Sequence, residues 1–229
     1  MREIIFDTET TGLSPENGDR LVEIGCVEMV NGIPTGATFH AYCNPGRDMD
    51  PDAERIHGLS SHFLSDKPVF AEIADELLAF VADSRLVAHN ASFDFGFLNR
   101  ELTLCGRDAV CLTRMVDTVA MAKKRHPGAK LSLDALCTRY GIDRSHRTKH
   151  GALLDAELLA QVYIELNGGR QIGLELAAET PEQTLADAFM LKRERPRRAP
   201  RPHSASEAEL VRHLAFLESV TAPLWQRTR

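Results

Sequence analysis

The order of its apolar segments constrains this 229-residue chain most strongly: three strand-like stretches come first, and strands alternating with helices follow. Residues 2–6 (REIIF) read as a buried strand, residues 21–30 as a second and residues 37–42 as a third. Asn17-Gly18-Asp19 and Asn31-Gly32-Ile33-Pro34 are turn sequences, so the three strands form an antiparallel meander. In residues 69–81, Phe70, Ile73, Leu77, Leu78 and Val81 recur at helical spacing. A strand at 85–88, a helix at 93–105, a strand at 115–117 and helices at 119–125, 132–140 and 152–166 complete the pattern. That order predicts an α/β domain built on a mixed sheet flanked by helices.

Gly168-Gly169 ends the last of these helices. Residues 192–202 (KRERPRRAPRP) cannot bury a core and read as a solvated, extended linker. A short amphipathic helix follows at 206–220. Leu210, Leu214 and Leu217 are spaced for one face, with Ser206 as N-cap and Glu209 three residues later. The chain therefore divides into a domain over 1–170, a flexible linker over 171–205 and a terminal segment over 206–229, which holds the one tryptophan, Trp225.

Composition narrows the function classes. No apolar stretch approaches the roughly 20 residues that cross a bilayer, and the N-terminus lacks a signal-peptide pattern. The five cysteines are odd in number and none is spaced C-x-x-C. That argues against a disulfide framework or zinc site and for a reduced, cytoplasmic chain. Of 27 Lys+Arg and 33 Asp+Glu, residues 177–229 hold 9 and 7, which leaves 18 and 26 in residues 1–176, a net charge of −8. Phosphate neutralisation by Lys and Arg dominates affinity for nucleic acids. A body this acidic needs metal ions or a partner to hold one.

Three segments carry candidate chemistry. In DTETTGL (Asp7 to Leu13), Asp7 and Glu9 are two apart on a strand and share a face. A hard divalent cation with oxygen ligands, such as Mg²⁺ or Mn²⁺, relieves their repulsion. A lone D-x-E, however, is more often an acidic strand end with capping threonines. HNASFDFGFL (His89 to Leu98) follows an apolar strand and opens a helix, which puts Asp94 in the first turn, near the strand end where sites gather in α/β sheets. Taken alone, a first-turn aspartate simply favours the helix dipole. In HGALLDAELL (His150 to Leu159), His150 and Asp155 are five residues apart, about 140° on a continuous helix, so they cannot share one helical face. His150 fits the loop before the helix, freed by Gly151, and Asp155 faces inward among Leu153, Leu154, Leu158 and Leu159.

Together, in this order, these segments resemble the DEDD exonuclease superfamily, in its subclass with a catalytic histidine; the match spans about residues 3–167. The resemblance implies a ribonuclease-H-like fold, a mixed five-stranded sheet with helices on both sides. It implies Asp7, Glu9, Asp94 and Asp155 as metal ligands and His150 as general base. Four carboxylates in one pocket require about two divalent cations, one activating water and one stabilising the leaving 3′ oxygen. A neutral imidazole, with an ordinary pKa near 6.5, can take the proton of that water. The expected product is a nucleoside 5′-monophosphate. The resemblance also sets Thr10 and Leu13 around the 3′ nucleotide, beside Asp7, Glu9 and Asp155. It makes Asp52–Gly58 (DAERIHG) the loop that holds the terminal nucleotide, with Asp52, Ile56 and His57 as contacts, and Asn90 and Phe93 as contacts to sugar or base. Leu13 would wedge between the last bases and favour frayed ends.

Residues 116–143 and 147–163 carry a narrower resemblance, to the proofreading epsilon subunits of bacterial DNA polymerase III. It implies a DNA 3′ end as substrate and the polymerase alpha subunit as partner of the terminal segment, with Leu217, Leu224 and Trp225 as anchors. QIGLEL (Gln171 to Leu176) resembles a sliding-clamp docking peptide, with Gln171, Leu174 and Leu176 as contacts. A small accessory subunit is a further possible partner, and the core is expected to be monomeric. Two other readings stand beside this one: a stand-alone DNA or RNA 3′ exonuclease of the same superfamily, and a non-catalytic adaptor between polymerase and clamp.

Overall fold

The computed structural model describes residues 1–145, 147, 149–169 and 204–220. The chain divides into two compact units, Met1–Leu174 and Glu175–Arg229. In the first, β1 (Arg2–Thr10), β2 (Leu21–Val30), β3 (Ile33–Tyr42), β4 (Arg85–Ala88) and β5 (Met115–Asp117) form one sheet in the order β3-β2-β1-β4-β5. β2 is antiparallel to both β1 and β3, and β4 is parallel to both β1 and β5. This is the expected ribonuclease-H-like mixed sheet. Its helices are α1 (Pro51–His57), α2 (Ser61–Leu64), α3 (Phe70–Val81), α4 (Ala91–Leu104), α5 (Thr118–Arg125), α6 (Leu133–Tyr140) and α7 (Ala152–Leu166).

Alternation along β1 sorts the two faces. Ile4 and Phe6 enter a core with Ile73 and Leu77 of α3 and Phe95 and Leu98 of α4. Ile5 enters a second core with Leu136 of α6 and Leu159 and Val162 of α7. Asp7 and Glu9 continue the phase of Ile5, towards α7. At Gly25, which pairs with Asp7 across the sheet, α7 comes so close that an added Cβ would lie 2.2 Å from the Leu153 backbone nitrogen. Only glycine permits that approach, and it draws the start of α7 onto the strand end.

Several boundaries differ from the sequence expectation. β1 runs to Thr10 rather than stopping at Phe6, so Asp7 and Glu9 lie within it. β3 begins at Ile33, through Pro34 and Gly36; it is an edge strand, where a missing N–H is tolerated, and the register shifts between Val27 and Met29 absorb the irregularity. α4 begins at Ala91, because Asn90 adopts a left-handed φ of 64° and the Asp117 side chain accepts from the Asn90 and Ala91 amides. DAERIHG is no loop: Pro51–His57 is α1, capped by Asp50 with Pro51 at its first turn and closed by left-handed Gly58. α2, a single turn, has no counterpart in the sequence expectation.

In the second unit, α8 (Glu207–Ser219) carries the expected capping box: Ser206 and Glu209 satisfy each other's backbone amides. Leu217 is its buried apolar residue, while Leu210, Val211, Leu214 and Phe216 are exposed. Gln171, Leu174, Leu176, Leu224 and Trp225 lie outside the described residues. Among the described residues no helix is long and apolar enough to cross a membrane.

Candidate active site

The end of β1, the first turn of α4 and the start of α7 converge on one group of carboxylates. Asp7 and Glu9 arrive from β1, Asp94 from α4 and Asp155 from α7. Glu9, Asp94 and Asp155 are all buried. The Thr8 hydroxyl, on the other face of β1, donates to Asp94 Oδ1 at 2.7 Å and ties α4 to the strand. Ligand atoms of Glu9, Asp155 and His150 lie within 4.8 Å of one another. His150 stands in the loop before α7, anchored by its amide to the Ile56 carbonyl of α1. Its Nδ1 lies 3.2 Å from Asp155 Oδ2, and its ring is half exposed, open to solvent. The sequence reading thus placed His150 outside the helix and Asp155 inside it, as observed.

Burial and crowding set the electrostatics. Burial, then repulsion from Asp94, Glu9 and Asp155, holds Asp7 well above the usual carboxylate range. Burial, with Asp155 and Glu23 next, pushes Glu9 up to about 8. Burial also raises Asp94 to about 7 against the pull of its hydrogen bonds with Thr8. Asp155 goes the other way: burial would raise it, but hydrogen bonds from His150 and Arg147 hold it below the ordinary value. A protein that crowds four acids so closely destabilises their charged forms unless cations intervene. Glu9 Oε1 is moreover buried without any hydrogen-bond partner. An all-oxygen set beside one imidazole, with an orphaned carboxylate oxygen among them, fits a hard divalent cation.

Around this group the structure brings in residues that the motifs did not show. Arg147 Nε and Nη2 donate to both Asp155 oxygens at 2.5 and 2.7 Å. Glu23 sits opposite Glu9 on β2, buried and 2.7 Å from His40 Nε2. Gly25 sets the approach of α7. Strand alternation could have found Glu23; nothing local marks Arg147 or Gly25.

The substrate residues expected from the sequence sit less uniformly. Leu13 is 84% exposed at the tip beyond β1. Thr10 is buried, its hydroxyl donating to the Gly12 carbonyl. His57 ends α1 buried; its Nδ1 accepts from the Leu59 amide, its Nε2 has no hydrogen-bond partner, and burial lowers its pKa. Ile56 is exposed, and Asp52 is exposed and paired with Arg55. Phe93 packs against Phe97 at 5.0 Å, and Asn90 is the exposed left-handed residue before α4.

Comparison with known proteins agrees with this geometry. Residues 4–163 match the exonuclease family model RNase_T. The DNA polymerase III subunit epsilon of Rickettsia felis is 48% identical over 225 residues, covering 96% of this chain and 97% of that protein. The Escherichia coli protein of the same name is 42% identical over 227 residues, covering 96% and 93%. Among solved structures, exonuclease X in complex with 5′ overhanging duplex DNA matches with a TM-score of 0.56 and 26% identity, over 72% of this chain and 90% of that one. An Escherichia coli ExoI–ssDNA complex shares the fold, with a TM-score of 0.62 at 18% identity, over 73% of this chain and 41% of that one.

Proposed function

The chain belongs to the DNA polymerase III epsilon subunits, exonucleases that act in 3′→5′ proofreading, and from that premise we propose which residues carry its reaction. The carrying observation is the group of four crowded carboxylates beside His150, with Glu9 Oε1 left unpartnered. Exonucleases of this superfamily use divalent metal ions. Asp7, Glu9, Asp94 and Asp155 hold two of them, Mg²⁺ or Mn²⁺. When bound, such ions polarise the scissile phosphate, lower the pKa of the attacking water and stabilise the leaving 3′ oxygen.

His150 takes the proton of that water. Its place in a half-exposed loop gives it access to solvent, and its contact with Asp155 fixes the ring. The terminal nucleotide lies between Leu13 on one side and α1 on the other, with Thr10, Asp52, Ile56, His57, Asn90 and Phe93 lining its place. The product is a nucleoside 5′-monophosphate.

Residues 1–170 form the exonuclease domain, 171–205 the linker and 206–229 the polymerase-anchoring segment. Tethering answers the −8 charge of residues 1–176: a domain held near the primer end needs little DNA affinity of its own. Gln171, Leu174 and Leu176 dock on the sliding clamp, Leu217, Leu224 and Trp225 on the alpha subunit, and the complex works in the cytoplasm. Replacing Gln171, Leu174 and Leu176 with alanine should weaken clamp binding while the rate on short DNA stays normal.

The catalytic assignment is tested with 3′-labelled DNA carrying a terminal mismatch, beside paired DNA and matched RNA, in Mg²⁺, in Mn²⁺ and in chelator. Metal-dependent 5′-monophosphate release, fastest at the mismatch and lost in Asp7→Ala, is expected. Release that persists in chelator would refute the metal assignment.

A further inference from the structure

Arg147 does something that the proposed reaction does not require of it. Its guanidinium is nearly buried, with 9% of the side chain exposed, and it grips Asp155 through Nε at 2.5 Å and Nη2 at 2.7 Å. That is a two-pronged, charge-assisted fork, roughly twice as strong as a pairing between neutral groups. The same Nη2 lies 2.9 Å from His150 Nδ1. The third nitrogen, Nη1, donates to Asp134 Oδ1 on α6 at 2.8 Å. Arg147 also lowers Asp7 and Glu9 electrostatically, against the burial that raises both. One cation therefore reaches a metal-ligand candidate and the general-base candidate at once.

A metal ion held by Asp155 needs the oxygens that this fork occupies. Resting on the carboxylates being metal ligands, we infer that Arg147 is a built-in competitor for the metal: it neutralises Asp155 until a divalent cation displaces it, and so sets the metal affinity of the site. Displacement does not require the side chain to leave. Nη1 is already anchored to Asp134, and a cavity of about 290 Å³ opens beside it, lined by Asp134, Arg144, Lys149 and His150. The guanidinium can pivot about Asp134 into that space and carry its charge away from the metal. Arg147 is thus a positioning residue: it acts through Asp155 and His150.

The test measures binding of Mn²⁺ alone to the full chain, by calorimetry and by the electron-spin resonance of the free ion, without DNA. Arg147→Gln should bind Mn²⁺ about tenfold more tightly than the parent, equivalent to one contact of about 1.4 kcal/mol, and should melt at a lower temperature in chelator. Arg147→Lys, which keeps the charge but loses the fork, should fall between. Arg144→Gln is the control for general electrostatics: Arg144 pairs with Asp134 at 2.9 Å, and its loss should change Mn²⁺ binding far less. Equal or weaker Mn²⁺ binding by Arg147→Gln would overturn the inference, as would an equal gain in Arg144→Gln. If the parent itself binds no Mn²⁺, the metal reading falls and the inference with it, which is a different outcome. Should Arg147→Gln not fold, the parent still decides: the Arg147 Nε–H resonance should be protected from solvent exchange in chelator and lose that protection on saturation with Mg²⁺. A resonance indifferent to Mg²⁺ would overturn the inference.

Discussion

Two buried glutamates in this domain stand in opposite situations. Glu101, on α4, is 2% exposed and fully answered: Arg20 donates to it through Nε at 2.7 Å and Nη2 at 2.8 Å, and the Leu21 amide adds a bond at 3.2 Å. Glu9, on β1, is 8% exposed and unanswered: one oxygen has no partner, and its charged neighbours are mostly other carboxylates. The first is held by its hydrogen bonds to Arg20 and Leu21, whereas the second is pushed up to about 8 by burial and repulsion. A buried acid with its own cation fastens the fold; a buried acid among acids stores unfavourable energy that a ligand can release. Asp155 lies between these extremes, since Arg147 answers it with a cation that a metal can replace.

The contrast can be broken most forcefully at Asp7. Asp7→Ala should lower the exonuclease rate by about a thousandfold or more, a loss of about 4 kcal/mol in the transition state. The same change should raise the melting temperature in chelator, because it removes one of the repelling charges. A rate close to the parent's would place the chemistry elsewhere. His150→Gln should cost about a hundredfold or more in rate at neutral pH, the range of a lost general base, with metal binding retained in a direct Mn²⁺ titration.

Glu101→Gln should do the reverse of Asp7→Ala. Stability should fall by about 3 kcal/mol, the lower end for breaking a buried pair, since Arg20 is partly exposed. Denaturant unfolding measures this, and the rate per folded molecule should hold. If Glu101→Gln and Asp7→Ala shifted stability in the same direction, the distinction between the two acids would collapse.

The subtlest expectation concerns pH. Glu9 and Asp94 are raised to about 8 and about 7 from ordinary values of 4.5 and 3.8. Raised acids favour the folded state most fully below their ordinary pKa, and that contribution drains away as pH climbs through the folded values. In chelator, the melting temperature should therefore decline from about pH 5 to pH 8. Mg²⁺ should flatten the decline, because it binds the ionised carboxylates and releases their protons. Scanning calorimetry in chelator and in Mg²⁺ separates the two curves; coincident curves would mean that the carboxylates do not hold the ion.

Much of this was legible in the sequence where the information is local. Period-two and period-3.6 patterns match three of the strands and most helices to within a residue or two, and the Ser206–Glu209 capping box is readable as spelled. α1 escapes the sequence reading although its signals are all present: Asp50 before it, Pro51, Asp52 and Glu54 in its first turn, Gly58 after it. The family likeness marks the segment as a loop, and seven residues are too few for periodicity to overrule that. β1 reads short because two acids and two threonines follow its apolar run, and only burial against both flanking layers shows that the strand continues.

What the sequence by itself determined is the inventory and its order: Asp7 and Glu9 on one strand, Asp94 opening a helix, His150 before a helix and Asp155 within it. Those are relations of near neighbours, fixed by backbone geometry. What only the tertiary structure decided is which atoms meet. The contact of Gly25 with the Leu153 backbone, the Thr8 bond to Asp94 and the Arg147 fork on Asp155 all depend on how α4, α7 and the loop before α7 pack on the end of β1. Close packing across distant segments has no period along the chain, so nothing local could announce that Asp155 would carry a cation and Glu9 none.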